Sequence, residues 1–181
     1  MRRYYYTRIV TIIFLTAFIT SPLYAMPGTS YVVTEVHNGN IVSIKVKSFA
    51  GFPLKIERIR LIGIDAPELR QEPWGRKAKK HLKKLISESD WVVNVEFDVE
   101  QRDKYGCLMG YLWNRRNGTL INEKMIEDGY AVLYTLPPNM RYADRLIEAQ
   151  NRAHSKSLGI WGNKGLTQYP AQWRKEHPSF N

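Results

Sequence analysis

The chain has 181 residues, 44% of them hydrophobic, with a net charge of +10 and a pI near 9.7. Its single cysteine excludes a disulfide-stapled scaffold, so the core must hold by packing. The charge suits a polyanionic partner such as nucleic acid, or else a generally basic exported protein.

The first 25 residues read as a signal peptide. Arg2, Arg3 and Arg8 precede an apolar stretch from Ile9 to Thr20, and Leu23-Tyr24-Ala25 offers a small residue for cleavage. The stretch is short for a membrane span, and an uncleaved anchor is the alternative. Export to the periplasm or the medium is expected, without stable membrane insertion after cleavage. The segment holds three arginines and no acids, which leaves +7 of the +10 on the remainder. About 155 residues then remain, enough for one domain with one core.

Segments 31–36 and 41–46 read as a hairpin around Asn38-Gly39, a favoured tight-turn dipeptide. A third strand is expected over 54–64, where a shift of apolar parity between Ile56 and Ile59 suggests a bulge. A helix over 74–87 has Trp74, Ala78, Leu82, Leu85 and Ile86 as its apolar stripe and a face rich in lysine and arginine. Strands follow over 91–99 and 107–113. A second helix starts after Thr119, a candidate N-cap, and stops at Gly129. A third runs over 139–156 with Met140, Ala143, Ile147 and Ala153 inward. The tail from 163 to 181 lacks periodicity. Trp173-Arg174-Lys175 offers an aromatic-basic contact there, but a loosely docked tail is the expectation. Five short strands with a helix after the third favour a small closed barrel, an α+β fold.

Two stretches carry chemistry. Residues 60–68 read Arg-Leu-Ile-Gly-Ile-Asp-Ala-Pro-Glu, which places a phosphate-binding cation and two acids, Asp65 and Glu68, at the lip of one sheet. That trio suits metal-assisted attack on a phosphodiester, although a strand ending in an ordinary charged turn has the same letters. Residues 98–106 read Asp-Val-Glu-Gln-Arg-Asp-Lys-Tyr-Gly, and Leu158-Gly-Ile-Trp161 lies near the end. No zinc site is indicated, because His37, His81, His154 and His177 lie far apart beside one cysteine. A nucleophile elbow and a P-loop are also absent from the sequence.

In order and spacing these three motifs resemble the staphylococcal nuclease (thermonuclease) family over about residues 30–162. The resemblance implies an OB-fold five-stranded β-barrel with three α-helices over 26–162, and calcium-dependent cleavage of DNA or RNA. It implies that Arg60 stabilises the scissile phosphate and that Glu68 handles the attacking water. Asp65 and the carbonyl of Ala66 would be calcium ligands. Lys104, Tyr105 and Tyr134 would contact substrate. Two positions depart from the pattern. The family's Asp-Gly-Asp hairpin is Asn38-Gly39-Asn40 here, so Asn40 replaces a calcium carboxylate and weakens the site. The second catalytic arginine is replaced by Cys107, which has neither a fixed charge nor a bidentate fork. Arg70, Arg76 or Arg102 could supply the missing cation, and Glu35 the missing charge.

A calcium-dependent endonuclease of reduced activity is therefore expected. The alternative is a catalytically inactive nucleic-acid-binding or protein-interaction module on the same barrel. A monomer is expected, with Cys107 able to join two chains in an oxidising compartment.

Overall fold

The computed structural model describes residues 27–46 and 54–178; the segment read as a signal peptide lies outside them. A closed barrel has the strand order β1-β2-β3-β6-β5, with β1 (Thr29–Val36), β2 (Ile41–Val46), β3 (Lys55–Leu61), β5 (Val92–Glu96) and β6 (Leu108–Asn114). The first and last strands close on each other by pairing β1 with β5. The β3–β6 contact is the parallel one, with Ile59 beside Leu108, Arg60 beside Met109 and Leu61 beside Gly110. The helices are α1 (Trp74–Ser87), α2 (Ile121–Glu127), α3 (Ala143–Ser155) and a short α4 (Pro170–Glu176). This is the expected α+β barrel, with a fourth helix added.

The hairpin forms where Asn38-Gly39 lies. The Asn38 carboxamide accepts the backbone N–H of Asn40 at 3.0 Å, and the His37 N–H donates to the Ile41 carbonyl at 2.9 Å. A side chain at Gly39 would sit 2.5 Å from the Ala66 methyl, so glycine lets this turn lie directly on the acidic stretch. An irregularity between Val33 and Glu35 interrupts the β1–β2 ladder, where no bulge was expected.

The expected bulge in the third strand is not there. The β2–β3 register runs unbroken from Arg60 to Lys55, and Leu54 and Ile56 are simply exposed on the outer face. Instead the chain breaks at Ile62 and turns at Gly63, whose φ is +80°. A short strand, β4 (Gly63–Asp65), then leaves the barrel and pairs with β7 (Val132–Tyr134). At Gly63 a Cβ would meet Leu146 of α3 at 2.3 Å, so the turn needs both the glycine's backbone freedom and its lack of a side chain.

Other boundaries differ for identifiable reasons. Strand β5 ends at Glu96, and Val99, expected on its inner face, is exposed. Leu120 rather than Thr119 occupies the N-cap of α2, without a side-chain bond, and the Thr119 carbonyl accepts the Asn114 N–H instead. Helix α3 starts four residues later than expected, because Asn139 bonds both the N–H and the carbonyl of Glu100 at 2.8 Å. Its inner face is Ala143, Leu146, Ala149 and Ala153, whereas Met140 and Ile147 are exposed.

One buried side chain ties the layers together. Asn122 of α2 is fully buried and donates to the Ile62 carbonyl at 2.8 Å and the Gly110 carbonyl at 3.3 Å, while accepting the Leu112 N–H at 2.9 Å. It thus fastens α2 to the point where the chain leaves the barrel. Asn122→Ala strands a buried N–H and at least one buried carbonyl, each costing about 1–3 kcal/mol. The expected loss of unfolding free energy in urea is about 3 kcal/mol; a loss below about 1 kcal/mol would show that this bracket contributes little.

Candidate active site

The turn at Gly63 carries β4 out of the barrel sheet and onto β7, where Asp65 ends only 3% exposed. The side chain of Glu68, three residues on, is 30% exposed. Its carbonyl lies under the first turn of α1, where a Cβ on Gly75 would meet it at 1.9 Å. Both carboxylates face one group, the guanidinium of Arg174 in α4. One of its terminal nitrogens donates to Asp65 at 3.0 Å and to Glu68 at 2.8 Å, and the other donates to Asp65 at 2.7 Å. This is a bidentate, charge-assisted pair with a third bond added. Hydrogen bonding to Asp65, reinforced by Glu68 and opposed by burial, holds Arg174 far above the usual arginine range.

Loose docking of the tail is thus corrected. The Gln71 carboxamide donates to the Gln168 carbonyl at 2.6 Å, and the Trp74 indole donates to the Lys164 carbonyl at 3.1 Å. The Arg70 guanidinium lies 5.6 Å from the Trp173 ring centre. Between α4 and the barrel opens a cleft of about 560 Å³, walled in part by Glu68, Arg58, Arg70, His37 and Trp173. The aromatic-basic segment Trp173-Arg174-Lys175 was the available signal for this contact.

The other expected site residues fall into three groups. Asn40 and Ala66 lie beside the acids: Asn40 is buried, and its amide points at the Ile64 carbonyl at 3.5 Å. Arg60 and Cys107 lie together on the neighbouring edge. The Arg60 guanidinium is 3.5 Å from Asp103, whose carboxylate also accepts the N–H groups of Tyr105 and Cys107 at 2.9 Å each. Lys104 and Tyr105 project from this loop into solvent, with the ammonium 5.1 Å from the ring centre. Tyr134 is exposed on β7, opposite Gly63.

None of the expected substitutes for the missing arginine reaches the acids. Arg102 bonds Glu57 at 2.7 Å and the Gly106 carbonyl at 2.8 Å. Arg76 pairs with Glu72, and Arg70 is taken up by Trp173. Glu35 is exposed and pairs with His37.

The donors around Asp65 and Glu68 are oxygens, the set a hard cation such as calcium takes. The pair already holds a positive group, so the residues fit a cation. Among the described residues, however, no three acidic, histidine or cysteine side chains gather at one point. Two carboxylates make a weak calcium site, because affinity follows ligand charge.

Comparison with known proteins adds to this geometry. Residues 58–163 match the family described as Staphylococcal nuclease homologue. A thermonuclease of Staphylococcus intermedius is 33% identical over 139 residues, which cover 74% of this chain and 77% of that protein. A thermonuclease of Staphylococcus hyicus is 30% identical over 114 residues, 60% of this chain and 65% of that protein. Endonuclease YncB of Bacillus subtilis (strain 168) is 31% identical over 118 residues, 61% of this chain and 54% of that protein. The chain thus spans less than two thirds of the latter two.

Burial pushes the Cys107 thiol up, the Asp103 carboxylate adds to this, and Arg60 and Arg58 pull the other way without cancelling it. The thiol should therefore be protonated at neutral pH and be a poor nucleophile. Its alkylation by iodoacetamide should be slower than that of free cysteine at pH 7.5 and should still be rising above pH 9. A rate that levels off below about pH 8, under the ordinary thiol value near 8.5, would mean that the arginines dominate.

Proposed function

The chain belongs to the staphylococcal nuclease family, and from that premise we propose that it is an exported protein that binds nucleic acid and hydrolyses DNA or RNA phosphodiester bonds with calcium, at a reduced rate. The observation that carries this is the convergence of Asp65 and Glu68 on one cation, with Arg60 on the adjoining strand. Asp65, Glu68, the Ala66 carbonyl and the Asn40 amide are the candidates to hold calcium. Bound there, calcium would polarise a phosphoryl oxygen. Arg60 is proposed to bind the phosphate and Glu68 to orient or deprotonate water. Lys104, Tyr105 and Tyr134 are proposed to steady the flanking nucleotide from their exposed positions. The exposed basic face of α1 would attract the polyanion over a longer range.

The expected reduction follows from two residues. Losing a preorganised donor to a developing charge costs about 10²–10³ in rate. An arginine serving a phosphoryl transition state contributes about 10³–10⁵. Cys107 offers neither, and Asn40 brings an oxygen without charge. The second reading, a binding module without catalysis, is favoured by the Arg174 guanidinium, which already takes the oxygens that a metal would need.

A cleavage assay separates the two. Long DNA and RNA should be cut slowly with calcium, not at all with chelator, and not by Glu68→Gln prepared identically. Salt-sensitive binding without any cleavage would support the binding module. A second test restores both missing groups: Asn40→Asp with Cys107→Arg should raise calcium-dependent cleavage by about 10²-fold or more. A folded, calcium-binding double variant with unchanged cleavage would refute the assignment of those two positions.

A further inference from the structure

We propose that α4 is an autoinhibitory latch: the Arg174 guanidinium fills the cation space of the Asp65–Glu68 pair, and a divalent cation entering that space expels it and frees the helix. This deepens the calcium reading above and rests on it.

Three observations point to a latch rather than a passive surface bridge. The guanidinium uses both oxygens of Asp65 and one of Glu68, at 2.7–3.0 Å. Calcium takes such oxygens at about 2.3–2.6 Å, so an ion bridging the two carboxylates would occupy the space the guanidinium now fills. Secondly, Asp65 is nearly fully buried, and a buried carboxylate without a partner is strongly unfavourable. While Asp65 is ionised a cation beside it is strongly favoured, and without metal the tail supplies one. Thirdly, α4 lies beyond residue 163, where the family match ends, and it reaches back to the acids within that match.

The attachment of the tail also has the right layout. Residues 164–168 are held by Trp74 and Gln71, and Leu166 packs with Trp74 and Ile160. Past that anchor, α4 has only seven residues, too few to be a stable helix in water. Beyond the buried Pro170 at its first position, its ties to the body are Arg174 on the acids and Trp173 under Arg70. Exchange of one cation for another would therefore release about two turns of chain and leave the anchor in place. Tethering gives the guanidinium a high effective concentration, so it competes even with a stronger free ligand. Release would also open the 560 Å³ cleft, because Trp173, Arg174 and His177 form one of its walls.

The test uses the full chain and the Arg174→Gln and Arg174→Lys variants, with two readouts besides activity. Calorimetry measures calcium affinity, and limited proteolysis with mass spectrometry follows cleavage within residues 170–178. With chelator, the wild-type tail should be protected and the Arg174→Gln tail exposed. Added calcium should expose the wild-type tail. Calcium should bind Arg174→Gln at least tenfold more tightly than wild type, and cleavage of nucleic acid should need correspondingly less calcium. Arg174→Lys keeps the charge without the fork and should fall between them; it also serves if Arg174→Gln is poorly folded. Equal calcium affinity in all three proteins would overturn the latch while leaving the calcium reading intact. A tail that stays protected when calcium binds would do the same. No calcium binding by any of them would overturn both.

Discussion

The short parallel ladder between β3 and β6 is the contact on which the rest depends. Strands near in sequence pair readily, but this pair joins segments almost fifty residues apart, and together with the β1–β5 pairing it closes the barrel. Parallel neighbours require a long crossover, here supplied by α1 and β5. Closure brings the loop 102–107 beside Arg60, and it puts Asp103 where it orders that loop and pairs with the arginine. Asn122 then fixes the exit from β3, so that the backbone turns at Gly63 instead of continuing along the barrel.

That turn drives a charge into a poor environment. Asp65 is 3% exposed, and burial of an ion is costly without a partner. The partner is Arg174, more than a hundred residues away in sequence. Its own side chain is 39% exposed, so the pair is anchored on the acidic side and solvent-facing on the basic side. Such asymmetry suits an exchangeable partner: the carboxylate must always be satisfied, whereas the guanidinium can be hydrated at modest cost.

Much of the barrel was legible in the chain. Asn38-Gly39 marks the hairpin, the apolar stripe of α1 has helical spacing at five buried positions, and Gly129 ends α2 with a φ of +71°. Errors came where a local pattern had two explanations. Leu54 and Ile56 imitate a parity shift because two apolar residues face solvent at the open end of β3. Ile147 looks like an inner residue of α3, yet the notch at Gly63 is filled by Leu146, which rotates the helix so that Ile147 faces out. Asn139 reads as a helix residue but is drawn away by Glu100, a partner that periodicity does not reveal.

For the site, the sequence by itself determined which chemical groups are available: two acids three residues apart in a turn pinned by Pro67, an arginine on the strand before them, and an asparagine and a cysteine at positions where the family resemblance implies an acid and an arginine. The acids and Arg60 are local to one another, whereas Asn40 and Cys107 reach them through the hairpin and the β3–β6 ladder. Which cation faces the acids was decided only by the tertiary structure. Arg70, Arg76, Arg102 and Arg174 are equivalent as letters, and each is long enough to reach several partners. Glu57, Glu72 and the Trp173 ring take up three of them, and the docked tail delivers the fourth. The physical reason is that a charged side chain is assigned by competition among all the partners that folding brings within its reach.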